Sequence, residues 1–382
     1  MSNTGDESNG RALTQEIEDA RRMVLDEGRP DAVARQHKYG KYTARERIAR
    51  LCDGDSFHEY GSLVEPLRDT GFNKDLVAPA DGVITGSGMI DGRPVSLLSR
   101  DYTVLGGSTG KHGADKANRA VTQATEQGLP FVALQEGGGH RIQDGQDSRH
   151  FSAASPVFEF LARNSGWVPT AMAMLGQGFA GPTNWAALAD FVVMVRGQAT
   201  MGMAGPALVK AGLGQEIDKE ALGGAALQTN RYGISDLAVD TEDEALAAVR
   251  RFLSYLPSNA RQPLPIQEND DPITRAEEEL LEIIPASPRK SYDVRRIIEL
   301  ISDQGSVFEK KPSYARNIVT SFARLNGRPV GFVANQARHL AGMLDVKACE
   351  KASQFIGLCD AFGLPLVMLI DVPGFAIGSE AE

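Results

Sequence analysis

Three glycine-rich loops are the parts of this sequence whose residue types could do chemistry. They read GGSTGKH at Gly106–His112, GGGHR at Gly137–Arg141 and GQGFAG at Gly176–Gly181, each after an apolar run typical of a strand. Glycine at a strand end lets backbone N–H groups turn toward a ligand, and a helix N-terminus polarises them toward negative charge. One such loop is typical of a plain turn. Three on successive strands favour a site that stabilises an anion, as an oxyanion hole does.

Side chains that could act as catalysts are scarce by comparison. The sequence contains no HExxH zinc motif and no Gly-x-Ser-x-Gly nucleophile elbow. His112 and His140 lie in the loops and could be acid–base groups, although a hydrogen-bonding or solvated role is the ordinary one. Arg141 could bind a carboxylate or phosphate, or pair with a structural acid such as Asp144. Many backbone donors and few side-chain acids suit a reaction that passes through an enolate.

A tandem repeat indicates how these loops are positioned. The pattern of Asp91–Phe131 returns in Asn326–Leu366, displaced by 235 positions without a gap. Within it, GRPV at Gly92–Val95 recurs at Gly327–Val330. Before it, the offset is about 250, since Val294–Ile301 repeats Arg45–Leu51 and Asp303–Glu309 repeats Asp53–Glu59. The chain is therefore expected to hold two homologous halves.

The second half of the repeat is shorter than the first. The first half runs on through Ala133–Asn259, whereas the second stops at Glu382, whose counterpart is Asp147. A buried strand such as Leu366–Ile370 rarely ends a domain without a covering helix. We therefore expect a truncated second half, the alternative being a genuinely short paralogue.

Hydrophobic patterning predicts the elements that carry the loops. Val83–Ile90 and Val95–Ser99 form a hairpin around an Asp91-Gly92 turn, followed by a helix at Asp115–Glu126 and a buried strand at Phe131–Leu134. This order predicts an α/β fold of stacked β-β-α units. The rival is a doubly wound nucleotide-binding sheet, whose Gly-x-Gly-x-x-Gly fingerprint is missing. Further helices are expected at Gln15–Glu27, Thr43–Leu51, Val157–Asn164, Trp185–Ala189, Glu242–Leu256 and Val294–Ile301, and further strands at Phe57–Tyr60, Thr170–Leu175 and Phe191–Val195.

The expected organisation is a disordered tail at 1–12, a first domain at 13–259, a proline- and acid-rich linker at 260–288 and a partial second domain at 289–382. A formal net charge of −10 argues against non-specific nucleic-acid binding. No apolar run of about 18 residues indicates a membrane span. The cysteines Cys52, Cys349 and Cys359 form no CxxC pair, so neither a metal site nor a disulfide framework is expected, and a reducing, cytoplasmic compartment fits.

Five segments together resemble one family. It is the carboxyltransferase (β) subunit of biotin-dependent acyl-CoA carboxylases of the propionyl-CoA, acetyl-CoA and methylcrotonyl-CoA type, and the resemblance runs from Arg35 to Glu382. It implies a tandem crotonase-like (ClpP/crotonase) β-β-α superhelix, in agreement with the repeat, with the second half truncated. The segments are Thr43–Leu51, Asp101–Gly110, Leu222–Gly233 (LGGAALQTNRYG), Leu253–Asn259 (LSYLPSN) and Asp371–Phe375 (DVPGF).

The resemblance also implies a reaction. A carboxybiotin on a separate carrier domain or subunit releases CO₂, biotin nitrogen takes the α-proton of a short acyl-CoA, and the enolate attacks CO₂. One oxyanion hole per half is implied. The first falls on Ala180 and Gly181, followed by Pro182, which has no N–H and departs from the family's alanine. The second would lie near position 416, beyond Glu382.

Acyl-CoA binding is implied for the first two loops. GGGHR departs from the family's Ser-Gly-Gly-Ala-Arg loop, and Gln228 replaces the family's usual histidine. Ala171–Met174 looks like a biotin-attachment motif, but Ala173 stands where the modified lysine would be, so a buried strand is expected there. The assigned residues are Gly106, Gly107, Ser108, Gly110, Gly137, Gly138, Gly139, His140 and Arg141.

The implied partners are a biotin carboxylase/biotin carrier subunit, acyl-CoA and further copies of the chain, as in the family's hexamers, without nucleic acid or membrane. Two alternatives stay open. A non-catalytic CoA-binding or assembly subunit is favoured by Pro182 and by the missing second loop. A carboxyltransferase component of an acyl-CoA decarboxylase would instead require membrane partners.

Overall fold

The computed structural model describes residues 4–68, 74–145, 156–287 and 289–378. The strands are β1 His58–Tyr60, β2 Val83–Ile90, β3 Arg93–Arg100, β4 Phe131–Gly137, β5 Thr170–Phe179, β6 Phe191–Val195, β7 Thr200–Gly202, β8 Leu237–Val239, β9 Phe308–Lys310, β10 Ile318–Leu325, β11 Arg328–Asn335 and β12 Leu366–Leu369. The helices are α1 Thr4–Val24, α2 Pro30–Lys38, α3 Ala44–Leu51, α4 Lys111–Gln127, α5 Ile142–Gly145, α6 Val157–Asn164, α7 Gly181–Ala187, α8 Pro206–Leu213, α9 Lys219–Gly223, α10 Ala225–Leu227, α11 Glu242–Tyr255, α12 Leu280–Ile283, α13 Val294–Ile301 and α14 Val346–Ala361.

The strands form two sheets. The first follows the order β1-β2-β3-β4-β5-β6-β8, with β7 paired to β5, and the second follows β12-β11-β10-β9. Each sheet opens with an antiparallel hairpin, β2–β3 or β10–β11, and continues with a parallel strand reached through a helix. This is the predicted β-β-α order, and we call the parts built on the two sheets the first and second lobes.

The predicted repeat is confirmed in register. The first hairpin pairs Val83 with Arg100, and the second pairs Ile318 with Asn335, a displacement of 235 positions for both members. Positive φ angles recur at the turn, with 49° at Asp91 and 51° at Asn326. The offset of about 250 is confirmed as well, because α3 and α13 match over their whole length.

Buried polar contacts repeat with the backbone. The Lys116 ammonium donates to the carbonyls of Ala80 and Val83, and the Lys351 ammonium donates to the matching carbonyls of Ala315 and Ile318. A buried ammonium needs such acceptors, and its burial still disfavours the charged form. Burial lowers the pKa of Lys116 to about 8 and that of Lys351 to about 7. Each lysine fixes the chain that leads into its hairpin.

Helix α11 joins the two lobes. Its Phe252 stacks on Phe191 of β6 at 4.8 Å between ring centroids, and its Tyr255 stacks on Phe322 of β10 at 5.5 Å. These aromatic side chains belong to a core cluster that takes residues from both sheets. The predicted amphipathic helix thus buries its apolar face between the lobes.

Two boundary expectations are corrected. The segment 1–12 was expected to be disordered, but α1 begins at Thr4. No proline interrupts that segment, and local contacts such as the Gln15–Asp19 hydrogen bond support the helix. The short helix expected at Trp185–Ala189 begins earlier, at Gly181, because Pro182 sits in the first turn, where a missing N–H costs nothing.

The linker expected at 260–288 is fastened to the second lobe over part of its length. The Arg275 guanidinium donates to the carbonyls of Leu300 and Ser302 at the end of α13. It also forms an ion pair with Asp271 at 2.7 Å. Pro288 lies outside the described residues.

Candidate functional site

The first two glycine-rich loops lie side by side at the carboxyl ends of β3 and β4. The Gly138 N–H donates to Gly106 O at 3.1 Å, the Thr109 N–H to Gly139 O at 3.0 Å and the Arg141 N–H to Thr109 O at 2.8 Å. These N–H groups are therefore used between the loops and are not turned toward a ligand. The Gly138 N–H is therefore occupied, and the assignment of Gly138 to CoA binding stays a prediction.

Close backbone contact explains the glycines at Gly107 and Gly137. Gly107 has a φ of +67°, and a Cβ there would lie 2.2 Å from Glu136 O. Gly137 has a φ of +156°, and a Cβ there would lie 2.4 Å from Gly107 O. Only glycine permits both the conformations and the approach. Within the first loop, the Gly107 N–H donates to Val104 O and the Ser108 hydroxyl donates to Leu105 O at 2.9 Å.

The third loop, predicted at Gly176–Gly181, is mostly the end of β5, and only Ala180 lies between β5 and α7. This connection meets the second loop. A Cβ on Gly139 would lie 3.7 Å from the Gly181 nitrogen. Among the described residues, neither the Gly139 nor the Gly181 N–H has a backbone hydrogen-bond partner. Gly181 also begins α7, where the helix places positive partial charge. These two N–H groups, one from each of two neighbouring loops, are among the donors that have no backbone partner in the described part of the chain.

Ala180 is not such a donor, which corrects the prediction. Its N–H donates to Gly202 O at 2.8 Å, continuing the pairing of Phe179 with Gly202 between β5 and β7. Ala180 adopts a φ of 60°, unusual for a residue with a Cβ. Pro182 lies in the first turn of α7 and is compatible with the helix.

Arg141 forms a buried ion pair in this arrangement, and its assignment to CoA binding stays a prediction. Its side chain is buried and forms an ion pair with Asp81, with Asp144 farther away at 3.6 Å. The expected pairing with Asp144 is thus present but secondary. His140, beside it, is exposed. A Cβ on Gly110 would collide with Arg141 and Asp81, so that glycine gives the ion pair its space.

Sequence reasoning missed a buried acid beneath the second loop. Glu136 is fully buried, and its carboxylate meets Lys41 at 2.6 Å, Arg47 at 2.6 Å and Gln36 at 3.0 Å. Two cations and an amide satisfy a charge that would otherwise be costly to bury. The available signal was a glutamate near the end of a strand that begins with four apolar residues, although nothing in the sequence identified its partners.

The second lobe repeats the loop pairing of the first. The Leu344 N–H donates to Gly374 O at 3.1 Å and the Ala376 N–H to Leu344 O at 2.8 Å, each contact displaced by 235 positions. Phe375 stands where the first lobe has His140, and its side chain is 71% exposed. The segment Val372–Ala376 is therefore the structural counterpart of GGGHR, and DVPGF overlaps it in all but its first residue.

Comparison with known proteins decides the family. The model of the carboxyl transferase domain matches residues 35–382. The propionyl-CoA carboxylase carboxyltransferase subunit of Haloferax mediterranei is 39% identical over 368 residues, which are 96% of this chain and 71% of that protein. This chain belongs to the carboxyltransferase family.

Two further relatives of this carboxyltransferase bear on its fold and chemistry. The methylmalonyl-CoA decarboxylase subunit alpha of Veillonella parvula is 38% identical over 351 residues, 92% of this chain and 68% of that one. A crystal structure of transcarboxylase 12S, a hexamer with methylmalonyl-CoA bound, matches with a TM-score of 0.91 and 37% identity, over 97% of this chain and 72% of that chain. The predicted family, the tandem crotonase-like α/β fold and the enzyme class are confirmed.

Within the described ranges, no group of three or more His, Cys, Asp and Glu side chains is arranged to hold a metal ion. In the same part of the chain, none of the helices combines the length and apolar character required to cross a bilayer.

Proposed function

We propose that this carboxyltransferase moves a carboxyl group between carboxybiotin, held on a separate carrier domain or subunit, and the α carbon of a short acyl-CoA. The observation that carries the proposal is the pair of available N–H groups at Gly139 and Gly181, beside two interlocked glycine-rich loops. The named relatives act on propionyl-CoA or methylmalonyl-CoA. An acyl-CoA of similar size is therefore the proposed substrate.

The proposed role of the paired N–H groups is to stabilise the enolate oxygen of the thioester. They are backbone groups on fixed elements, so they need no reorganisation when charge develops. One donor of this kind lowers a barrier by about 3–4 kcal/mol. The N-terminus of α7 adds favourable potential at Gly181. The missing N–H of Pro182 does not affect this pair of donors, because neither proposed donor is at position 182.

The biotin is proposed to come from another chain. Ala173 replaces the lysine that a biotin-attachment motif would need, and it lies fully buried in β5. Carboxybiotin bound beside the loops would supply CO₂ and a basic nitrogen for the α-proton. The residues of this chain would hold the acyl group in position and exclude water from the enolate.

Assembly and location belong to the proposal as well. A biotin carboxylase/carrier subunit is the proposed partner, and a homo-hexamer is supported by the transcarboxylase 12S relative. Cys52, Cys349 and Cys359 are all free, as is usual in a reducing compartment, and a cytoplasmic location is proposed.

The first test is binding of CoA and propionyl-CoA by calorimetry, using the full chain. Saturable binding with a Kd in the micromolar range, about 1–100 μM, is expected for a site of this class. No heat and no thermal shift at millimolar ligand would contradict the proposal. Carboxylation of propionyl-CoA with a biotin carboxylase partner, ATP and bicarbonate then tests the reaction itself.

The relationship to the Veillonella decarboxylase subunit favours one alternative, transfer in the decarboxylating direction. It is tested by incubating the chain with methylmalonyl-CoA and free biotin and measuring propionyl-CoA. Binding of CoA without turnover in either direction would instead support a non-catalytic CoA-binding subunit.

A further inference from the structure

Asp81 lies at the point where the site loops and helix α4 meet. It precedes β2, its side chain is completely buried, and its φ is 49°. Its carboxylate accepts a hydrogen bond from the Gly113 N–H at 2.6 Å and forms an ion pair with Arg141. One carboxylate therefore holds both the first turn of α4 and the end of the second glycine-rich loop.

The corresponding helix of the second lobe, α14, is capped by a residue next to it in the sequence. There Asp345, the residue just before α14, accepts a hydrogen bond from the Ala348 N–H at 2.9 Å, as a local N-cap does. The first-lobe counterparts of Asp345 and Ala348 are Gly110 and Gly113. Because Gly110 has no carboxylate, Asp81 caps α4 from a distance.

The Arg141 pairing is also peculiar to the first lobe. Arg316 stands where the repeat would place Asp81, and Ala376 stands where it would place Arg141. The second-lobe loops therefore lack this ion pair. The Asn335 side chain connects them instead, since its amide donates to Gly342 O at 2.9 Å and its oxygen accepts the Asp371 N–H at 3.4 Å. The first-lobe loops have the same backbone pairing and an ion pair besides.

The Asp81–Arg141 ion pair of the first lobe contacts both glycine-rich loops and the start of α4. A Cβ on Gly110 would lie 2.4 Å from the Arg141 guanidinium and 2.6 Å from the Asp81 carboxylate, so the pair fills the place of a local cap. Arg141 also donates to Ser108 O at 3.2 Å. Asp81 and Arg141 thus connect the first loop, the second loop and the N-terminus of α4.

We propose that Asp81 is a positioning residue that, through Arg141, holds the two glycine-rich loops in the geometry that binds acyl-CoA. The proposal rests on the proposed function for the ligand, but not for the mechanical role. Without the Asp81 charge, Arg141 loses its nearer carboxylate and, among the described residues, keeps the more distant Asp144 and the carbonyl of Ser108. A buried cation with too little compensation disrupts its surroundings.

The test compares Asp81→Asn with Asp345→Asn. Each asparagine can still accept the capping hydrogen bond, so both variants lose a charge at a helix N-terminus. Only Asp81→Asn removes the partner of Arg141. We expect CoA affinity, measured by calorimetry, to fall at least about tenfold in Asp81→Asn and to stay within about twofold of wild type in Asp345→Asn.

Hydrogen–deuterium exchange of the same proteins measures, without any ligand, how firmly the loops are held in place. Amides of 106–113 and 138–141 should exchange faster in Asp81→Asn and at the wild-type rate in Asp345→Asn. Equal CoA affinity in wild type and Asp81→Asn, or unchanged exchange in these segments, overturns the inference. Wild-type protein that binds no CoA contradicts the proposed function, and exchange still decides the role of Asp81.

A second variant covers the case in which Asp81→Asn does not fold. The double variant Asp81→Asn with Arg141→Gln removes both members of the ion pair, so neither position keeps a buried charge whose partner has been removed. It is expected to fold, to bind CoA at least about tenfold more weakly than wild type and to show the same fast exchange. A folded double variant that binds CoA as wild type does overturns the inference.

Discussion

The buried lysines show at the scale of single residues how the repeat is stabilised. Burial lowers the pKa of Lys351 to about 7, below the ordinary lysine value of about 10.4. Between these pH values the unfolded chain binds more protons than the folded one, so the free energy of unfolding rises with pH. In Lys351→Met this contribution is lost. We therefore expect the stability of wild type relative to Lys351→Met to increase from about pH 7 to about pH 9.

Urea denaturation of both proteins at several pH values checks this, and the other lobe supplies the control. Burial lowers the pKa of Lys116 only to about 8, so the difference between wild type and Lys116→Met should begin to rise about one pH unit later. A stability difference that does not change with pH in either pair would contradict the prediction.

The sequence predicted which loops form the candidate site, but not which of their residues have N–H groups available to a ligand. The glycine spacing located the first two loops, whereas the third, predicted at Gly176–Gly181, lies mostly within β5 and leaves only Ala180 between β5 and α7. Whether an N–H group is available depends on strand register. In this register the Ala180 N–H donates to Gly202 O, whereas the Gly181 N–H has no backbone acceptor among the described residues. The partner of Arg141 lies 60 positions away at Asp81, whereas the sequence offered the nearby Asp144.

At the scale of elements, the two interlocked loops depend on glycines of different kinds. Gly137 has a positive φ and no room for a Cβ beside Gly107, whereas a Cβ on Gly138 would meet nothing within 4 Å. We expect Gly137→Ala to push the loops apart, at a cost of about 1–3 kcal/mol in the free energy of unfolding, and to weaken CoA binding. Gly138→Ala should stay within about 0.5 kcal/mol of wild type.

Equilibrium urea unfolding and calorimetry with CoA compare the two alanine variants. Equal losses in both would show that the loops do not depend on the contact between Gly107 and Gly137. Unchanged CoA binding in Gly137→Ala would show that the contact does not shape the binding site.

The same scale explains which elements were predicted. Val157–Asn164 and Phe191–Val195 match the expected bounds, because continuous apolar faces determine them. Helix α7 was misplaced, since its start depends on Pro182 and on a strained Ala180, features that hydrophobic patterning does not report. The α2 helix at Pro30–Lys38 was missed because its residues are mostly exposed and polar.

For the whole molecule, the repeat predicted two related lobes but not how they are joined. Along the first sheet, β4 has β3 on one side and β5 on the other. Its counterpart β12 pairs with β11 and, within the described residues, is the edge of the second sheet. Most residues of the shared core therefore belong to the first lobe. The stability of the second lobe depends more on contacts between the lobes.

One such contact is an ion pair between the lobes. Lys310 of β9 meets Asp236, just before β8, at 2.5 Å, and the two side chains are 11% and 2% exposed. Asp236 also accepts the Val192 N–H at 2.7 Å. Replacing Lys310 by Met would leave a buried carboxylate without its cation, which costs about 3–5 kcal/mol. We expect Lys310→Met to lower the free energy of unfolding by about that amount.

The pair Arg196–Asp240 is the control, because it has a similar separation of 2.7 Å but side chains that are 52% and 73% exposed. Arg196→Met should cost less than about 1 kcal/mol, since water screens that pair.

Because Lys310 joins one lobe to the other, its loss should also make the unfolding of the two lobes less cooperative. Unfolding followed by tryptophan fluorescence, from Trp167 and Trp185 in the first lobe, should then separate from unfolding followed by circular dichroism. Coincident transitions and equal losses in the two variants would show that the aromatic core around α11, and not the ion pair, holds the lobes together.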